Sequence, residues 1–132
     1  MNDLPTDLRY SADHLWVRPS SSPGSARVGI TSFAQESLGD VVAVTAPEVG
    51  ATVTAGEPCG EIESTKSIND LIAPITGDVT AINDDLGGSP ELVNADPYGR
   101  GWLFDVHVDP AELDEQLTQL IDASDYRKLT GE

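Results

Sequence analysis

The sequence predicts a mainly β protein, a flattened barrel or sandwich of two quasi-symmetric β units with a short helix near residues 32–38 and a C-terminal helix. Three observations lead there. The 12 glycines and 9 prolines among 132 residues fall between short apolar stretches, as they do where short strands are joined by tight turns. Gly39-Asp40-Val41-Val42-Ala43-Val44 and Gly77-Asp78-Val79-Thr80-Ala81-Ile82 agree at four of six positions, 38 residues apart. Two copies cannot build a solenoid, so they read as one turn-into-strand unit used once in each half of a sandwich. Finally, Trp102, Phe104, Val106 and Val108 alternate with Leu103, Asp105 and His107, which gives a strand one apolar and one mixed face.

Taken in order, Arg27 to Ile30 is the first clear strand, and Pro19 to Ser25 before it, rich in Ser, Pro and Gly, is a mobile connection between two strands. Ser32 with Gln35 reads as a capping box, Phe33, Ala34 and Leu38 as an apolar stripe, and Gly39 as the glycine that stops the helix. Val41 to Thr45, Glu57 to Ser64, Asp78 to Ile82 and Gly101 to Val108 are the remaining clear strands. Near the end Asp109 caps, Pro110 takes the first helical position and Glu112 completes the box. Leu113, Leu117, Leu120 and Ile121 then recur at helical spacing, so a helix over about 110–122 should lie on the β core. Beyond Asp122 only Tyr126 and Leu129 offer anchors.

A chain of 132 residues with 39% hydrophobic content suits one domain over 1–132, able to bury roughly two-thirds of its unfolded surface. Seven Lys+Arg against 23 Asp+Glu leave a net charge of −16. No basic patch adequate for nucleic acid can form, and an anionic membrane is disfavoured for the same reason. The single cysteine, Cys59, makes no internal disulfide and reads as a small buried hydrophobe. No apolar run reaches the length of a membrane span or signal core, and Met1 to Asp7 are polar without a basic stretch, so a cytoplasmic setting is the simplest expectation. His14 and His107 are too scattered for a metal site.

The two lysines, Lys66 and Lys128, differ in setting. Lys128 lies near the weakly patterned C-terminus. Lys66 stands between the two halves of the repeat, in Glu61-Ile62-Glu63-Ser64-Thr65-Lys66-Ser67-Ile68-Asn69-Asp70. With Ile62 and Ile68 pointing inward from two strands, Ser64 to Ser67 form the polar turn of a hairpin spanning about 57–74, and Lys66 projects into water.

These residues resemble the biotinyl and lipoyl carrier domains. Gly50 to Gly56 fits their G-x-x-V-x-x-G turn, Lys66 falls ten residues beyond, and Pro74 to Val79 fits P-x-x-G-x-V. Biotin carriers usually flank the lysine with methionines, and Met1 is the only methionine here. The chain resembles most the H-protein family of the glycine cleavage system, over nearly its whole length: His14 to Arg18, Val28 to Thr31 with Ala34 and Gln35, Leu38 to Val42, Glu63 to Ser67, Pro90 to Asn94, Asp96 to Gly99, and Gly101-Trp102.

The resemblance implies a barrel-sandwich hybrid whose Lys66 bears lipoate as an amide, an uncharged arm in place of an ammonium. It implies a non-catalytic carrier serving a pyridoxal-phosphate glycine decarboxylase, a folate-dependent aminomethyltransferase, dihydrolipoyl dehydrogenase and the lipoate-attaching enzymes. Residues implied around the arm are Glu63, Ser64, Thr65 and Ser67 beside Lys66, with Asp70, His14 and Asp13 near a cleft. The family usually reads E-S-V-K-A, so Thr65 and Ser67 are small polar departures. It commonly reads His-Glu-Trp where this chain has His14-Leu15-Trp16, and a leucine cannot pair with an amine as that glutamate does. Asp70 or Asp13 can take that part, or Asp70 is a solvated strand-end carboxylate. Tyr98-Gly99 is either a docking loop or one locked by aromatic packing. The acidic excess is a solvated surface, an adaptation to salt, or a field that steers basic partner faces. Two other readings keep a place beside the glycine-cleavage carrier: a lipoyl carrier of the same build used for lipoate relay or another one-carbon route, and an interaction module with Lys66 unmodified.

Overall fold

Two β-sheets face each other across an apolar interior. In this computed structural model the described residues are 5–131, so the first four of the polar opening stretch lie outside them. The strands are β1 (Arg9–Tyr10), β2 (Leu15–Pro19), β3 (Ser25–Ile30), β4 (Val41–Thr45), β5 (Thr52–Val53), β6 (Pro58–Ser64), β7 (Ile68–Ile72), β8 (Gly77–Ile82) and β9 (Phe104–His107). The helices are α1 (Ser32–Leu38), α2 (Leu92–Ala95), α3 (Pro110–Gln119) and α4 (Ala123–Thr130), with a 3-10 turn at Asp84–Gly87. One sheet runs β1-β2-β3-β9-β8-β5 and the other β4-β6-β7. The fold is thus mainly β and sandwich-like, with the two sheets separate rather than closed into one barrel. None of the described helices is long and apolar enough to cross a membrane.

Side-chain alternation explains the layering. Val17, Val28 and Val106 of the larger sheet and Val41, Ile62 and Leu71 of the smaller are all at most 4% exposed and belong to one core cluster, each worth about 1.5–3 kcal/mol of burial. Trp16 lies between Leu15 and Val17 and so points to the opposite face. There it joins Leu8, Tyr10, Ala123 and Tyr126 in a second cluster, in which the rings of Tyr10 and Tyr126 stack at 4.8 Å. The larger sheet is therefore buried on both faces at its β1–β2 end, with α4 as the outer cover.

The repeat has a structural counterpart in its strands but not in its turns. Val41 and Val79 are buried at 4% and 2%, and both strands slip register at the next residue, between Val41 and Ala43 and between Val79 and Ala81. Gly39, however, ends α1 with φ +79°, whereas Gly77 lies within β8, where a Cβ would come 2.8 Å from Val108 Cγ2.

Several local expectations are corrected. The cap of α1 is Thr31, whose hydroxyl accepts from Ala34 N at 3.2 Å, and Ser32 is the first helical residue. Ile68 is 63% exposed, because the turn pairs it with outward-facing Glu63, and Ile62 faces Asn69. Regular pairing in the last strand begins at Phe104, so Trp102 is only half-buried while Leu103 is fully buried. The helix capped by Asp109 stops at Gln119. Leu120 turns extended and Ile121 bridges Tyr10, N to O at 2.7 Å both ways. Asp122 then caps α4, anchored by fully buried Tyr126, while Leu129 is 53% exposed and anchors nothing.

Candidate functional site

The Lys66 turn is organised by one buried serine. Ser64, 6% exposed, donates its N–H to Ser67 O at 2.9 Å, and its Oγ accepts from the amides of Lys66 and Ser67, both at 3.2 Å. The hydroxyl thus satisfies amides that the turn takes out of the ladder. Thr65, Lys66 and Ser67 are exposed, and Ser67 Oγ accepts from Asn69 Nδ2 at 2.9 Å. Glu63 is exposed on the outer sheet face, opposite Ala43 and Ile68.

Lys66 rests on the end of α1. A Cβ on Gly39 would stand 3.2 Å from Lys66 Cε and 3.6 Å from Nζ, and Gly39 has a left-handed φ. Glycine is needed there for the turn, and a Cβ would also crowd the lysine stem above it, which could swing aside. Thr65 N donates to Asp40 O at 3.0 Å. Neither ion pair among the described residues, Arg27–Asp105 and Lys128–Asp125, engages Lys66.

Next to this turn lies a cleft of about 380 Å³, with Leu38 in its wall one residue before Gly39. Leu15, Ile30, Phe33 and Ile62 give it apolar surface, and Asp13, His14 and Asp70 add polar groups. Four of the positions singled out in sequence therefore meet in one place, while Glu63 to Ser67 stay at the hairpin tip. Leu15 is 3% exposed and forms part of the main core. Asp70 is exposed and lies directly opposite Glu61 in the β6–β7 ladder, a like-charge pairing that costs stability.

His14 is the most constrained of the set. It has φ +69°, left-handed and unusual outside glycine, in the tight turn that returns β1 to β2, where its N–H donates to Ser11 O at 3.1 Å. Its Nδ1 is 2.7 Å from the Tyr126 hydroxyl, which is 2.8 Å from Thr31 Oγ1, the cap of α1. Phe33 tilts against the ring at 4.8 Å. Burial pushes the imidazole below its ordinary value of 6.5, against an opposing pull from Asp13. The folded state therefore binds a proton here less readily than the unfolded one. The stability due to this group is complete above pH 6.5 and is lost as pH falls below it. His14→Asn, compatible with the left-handed backbone, is expected to flatten the change in urea midpoint between pH 7.5 and 5.5; an unchanged slope would refute the assignment.

Two further residues hold this region: Asn94, which sequence reasoning missed, and Tyr98, whose role it left open. The Tyr98 hydroxyl accepts from Ser32 N at 2.9 Å at the start of α1, and its loop is fastened by Trp16 Nε1 donating to Pro97 O at 2.9 Å and Arg18 donating to Tyr98 O at 2.8 Å. Hydrogen bonds fasten this loop, with the Tyr98 ring tilted against Trp16 at 6.4 Å. Asn94, on α2, grips the Gly39–Val41 turn. The available signals were the Pro90–Asn94 segment, which the resemblance marked without giving Asn94 a role, and the Asp96–Gly99 segment, which did not point to Ser32 as the partner of Tyr98. Cys59 is half-buried against the main core, and burial pushes its thiol up to about 11, which keeps it protonated and unreactive.

Comparison with known proteins bears on this geometry. The family described as Glycine cleavage H-protein matches residues 8–132. The glycine cleavage system H proteins of Mycobacterium avium and Mycobacterium bovis are 61% identical over 128 residues and 55% identical over 130 residues, each covering 96% of both chains. The crystal structure of a glycine cleavage system H protein from Mycobacterium marinum superposes with a TM-score of 0.86 at 45% identity, covering 98% of this chain and all of that one. With nearly every residue matched in both sequence and fold, the chain belongs to the glycine cleavage H-protein family.

Proposed function

We propose that Lys66 bears lipoate, joined as an amide between its Nζ and the lipoyl carboxyl, and that the chain thereby serves the glycine cleavage system as its mobile carrier. The observation behind this reading is the placement of an exposed lysine at the tip of a serine-braced hairpin, beside an apolar cleft. The fit is chemical: an accessible amine for acylation, apolar walls for a hydrocarbon arm and polar groups for its loaded end. When attached, the group supplies a disulfide that takes up an aminomethyl unit as it opens.

The rest is the work of this chain's residues. Ser64 keeps the tip folded, Gly39 leaves room for the lysine stem, and α1 forms both the support of the tip and a wall of the cleft. No general base or nucleophile is needed on the carrier, so catalysis belongs to its partners: a glycine decarboxylase, an aminomethyltransferase, dihydrolipoyl dehydrogenase and the lipoate-attaching enzymes. A cytoplasmic setting fits this reading. Intact mass with peptide mapping, after expression with active lipoylation enzymes, should place one lipoyl group on Lys66. Glycine decarboxylation with the partner enzymes should then depend on that form, and an unmodified Lys66 would overturn the proposal.

Leu15 favours a second reading, a lipoyl carrier used for relay or another one-carbon route, because the cleft lacks the family's carboxylate at that position. Leu15→Glu is expected to slow loss of the aminomethyl group from the loaded protein about tenfold, the worth of one charge-assisted hydrogen bond of about 1.5 kcal/mol. Equal rates of ammonia release from variant and parent would overturn the expectation that Leu15 weakens retention of the loaded arm.

A further inference from the structure

Helix α1 stops at Leu38, and the chain must then turn sharply into β4 through Gly39, Asp40 and Val41. Such a turn leaves main-chain groups without a helical or ladder partner. One side chain takes up two of them. Asn94 Oδ1 accepts from Val41 N at 2.8 Å, and its Nδ2 donates to Gly39 O at 2.8 Å and to Gln35 Oε1 at 3.0 Å. These are three of the four hydrogen bonds available to a carboxamide, and they hold both ends of the turn. The middle residue, Asp40, is thereby presented with its carbonyl toward Thr65 N at 3.0 Å, and Gly39 lies beneath Lys66 Cε.

The other copy of the repeat supplies a contrast. At Gly77-Asp78-Val79 the matching amide, Val79 N, donates to the main-chain Ala51 O at 2.9 Å. The backbone alone provides the partner there. A side-chain clamp serves the copy that touches the lysine, and its residue comes from α2, 28 residues beyond Lys66 in the chain.

We propose that Asn94 is a positioning residue for acylation of Lys66: by fixing the Gly39–Val41 turn it keeps the hairpin tip in the one shape an attaching enzyme must meet. The proposal rests on Lys66 being the attachment site. Without the clamp the tip spends only part of its time in that shape. Apparent affinity for the enzyme then falls in proportion to the populated fraction, while turnover from the bound complex is unaffected.

Asn94→Asp is the incisive variant, since it keeps an acceptor for Val41 N and sets an oxygen against Gly39 O and Gln35 Oε1. The full-length unmodified chain is used as substrate for a lipoate-attaching enzyme, with amide hydrogen exchange followed in parallel. The expected result is a KM raised about tenfold with kcat within about twofold, and Thr65 N–H exchange at least about tenfold faster while Val79 N–H is unchanged. An unaltered KM in a folded variant, or equal acceleration at Thr65 and Val79, overturns the proposal, the latter by showing a general loss of stability. Should the variant not fold, the parent protein decides: Val41 and Thr65 amides must show protection within about threefold of each other, because they open together, and independent opening refutes the coupling. If the parent acquires no lipoyl group on Lys66, the functional reading fails separately, and the exchange data still decide whether Asn94 governs the tip.

Discussion

Lys66→Arg is expected to leave a stable protein that takes up no lipoyl group and supports no glycine decarboxylation above the background of the assay. Arginine preserves the charge and most of the stem, but its guanidinium stays protonated and does not act as an acyl acceptor. Lys66 is exposed and outside both described ion pairs, so the melting temperature should move by no more than about 1–2 °C, as for surface substitutions away from special features. The chain has only one other lysine, Lys128, which makes the experiment unusually clean. Intact mass of the variant must show no acylation at all. A lipoyl group on Lys128, or residual decarboxylation, would disprove the assignment. The comparison separates chemistry from folding because one readout is expected to fall to zero while the other hardly moves.

Gly29→Ala should cause a large loss of stability. Gly29 lies opposite Trp16 in the β2–β3 ladder, and a Cβ there would stand 2.5 Å from Trp16 Cε2 and 2.7 Å from Nε1. The indole cannot easily yield, for it is fully buried and donates to Pro97 O. Overpacking of this kind costs about 1–3 kcal/mol, and loss of the indole hydrogen bond adds to it. For a chain of this size the melting temperature should fall by about 5–15 °C. The damage has a route to function. Pro97 precedes Tyr98, whose hydroxyl holds Ser32 at the head of α1, and α1 walls the cleft. Calorimetry measures the first effect. A Gly29→Ala protein that melts like its parent would show that the Trp16 pocket relaxes at no cost.

Much of this architecture was legible because it rests on local signals. Val41–Thr45 was read to the residue, since β-branched side chains follow a helix-stopping glycine there, and the Asp109–Pro110 start of α3 is written in cap chemistry. Errors arose where parity or distant contacts decide. Whether Ile68 faces inward depends on how many residues the Ser64–Ser67 turn consumes, and one residue reverses every side chain after it. Five of the eight residues of helix α4 are charged or carry an aliphatic hydroxyl, and besides small Ala123 it is held by one buried side chain, Tyr126, stacked on Tyr10 more than a hundred residues earlier. At the site, Lys66 and its turn were visible as a local motif. The roles of Asn94 and Tyr98 were not, because each acts on main-chain groups of a segment more than fifty residues away. A lone Asn on a one-turn helix or a lone Tyr in a loop gives no indication of which carbonyl or amide it will meet.

Both tryptophans, Trp16 and Trp102, pack in or against the cluster on the outer face of the larger sheet, with the guanidiniums of Arg18 and Arg27 4.8 Å and 3.8 Å from their ring centres. Neither lines the cleft around His14 and Leu15. Intrinsic fluorescence of this chain is therefore a gauge of the outer sheet face and of α4. An emission change on acylation of Lys66 would signify a disturbance relayed across the molecule, and a binding titration at the hairpin calls for an introduced chromophore.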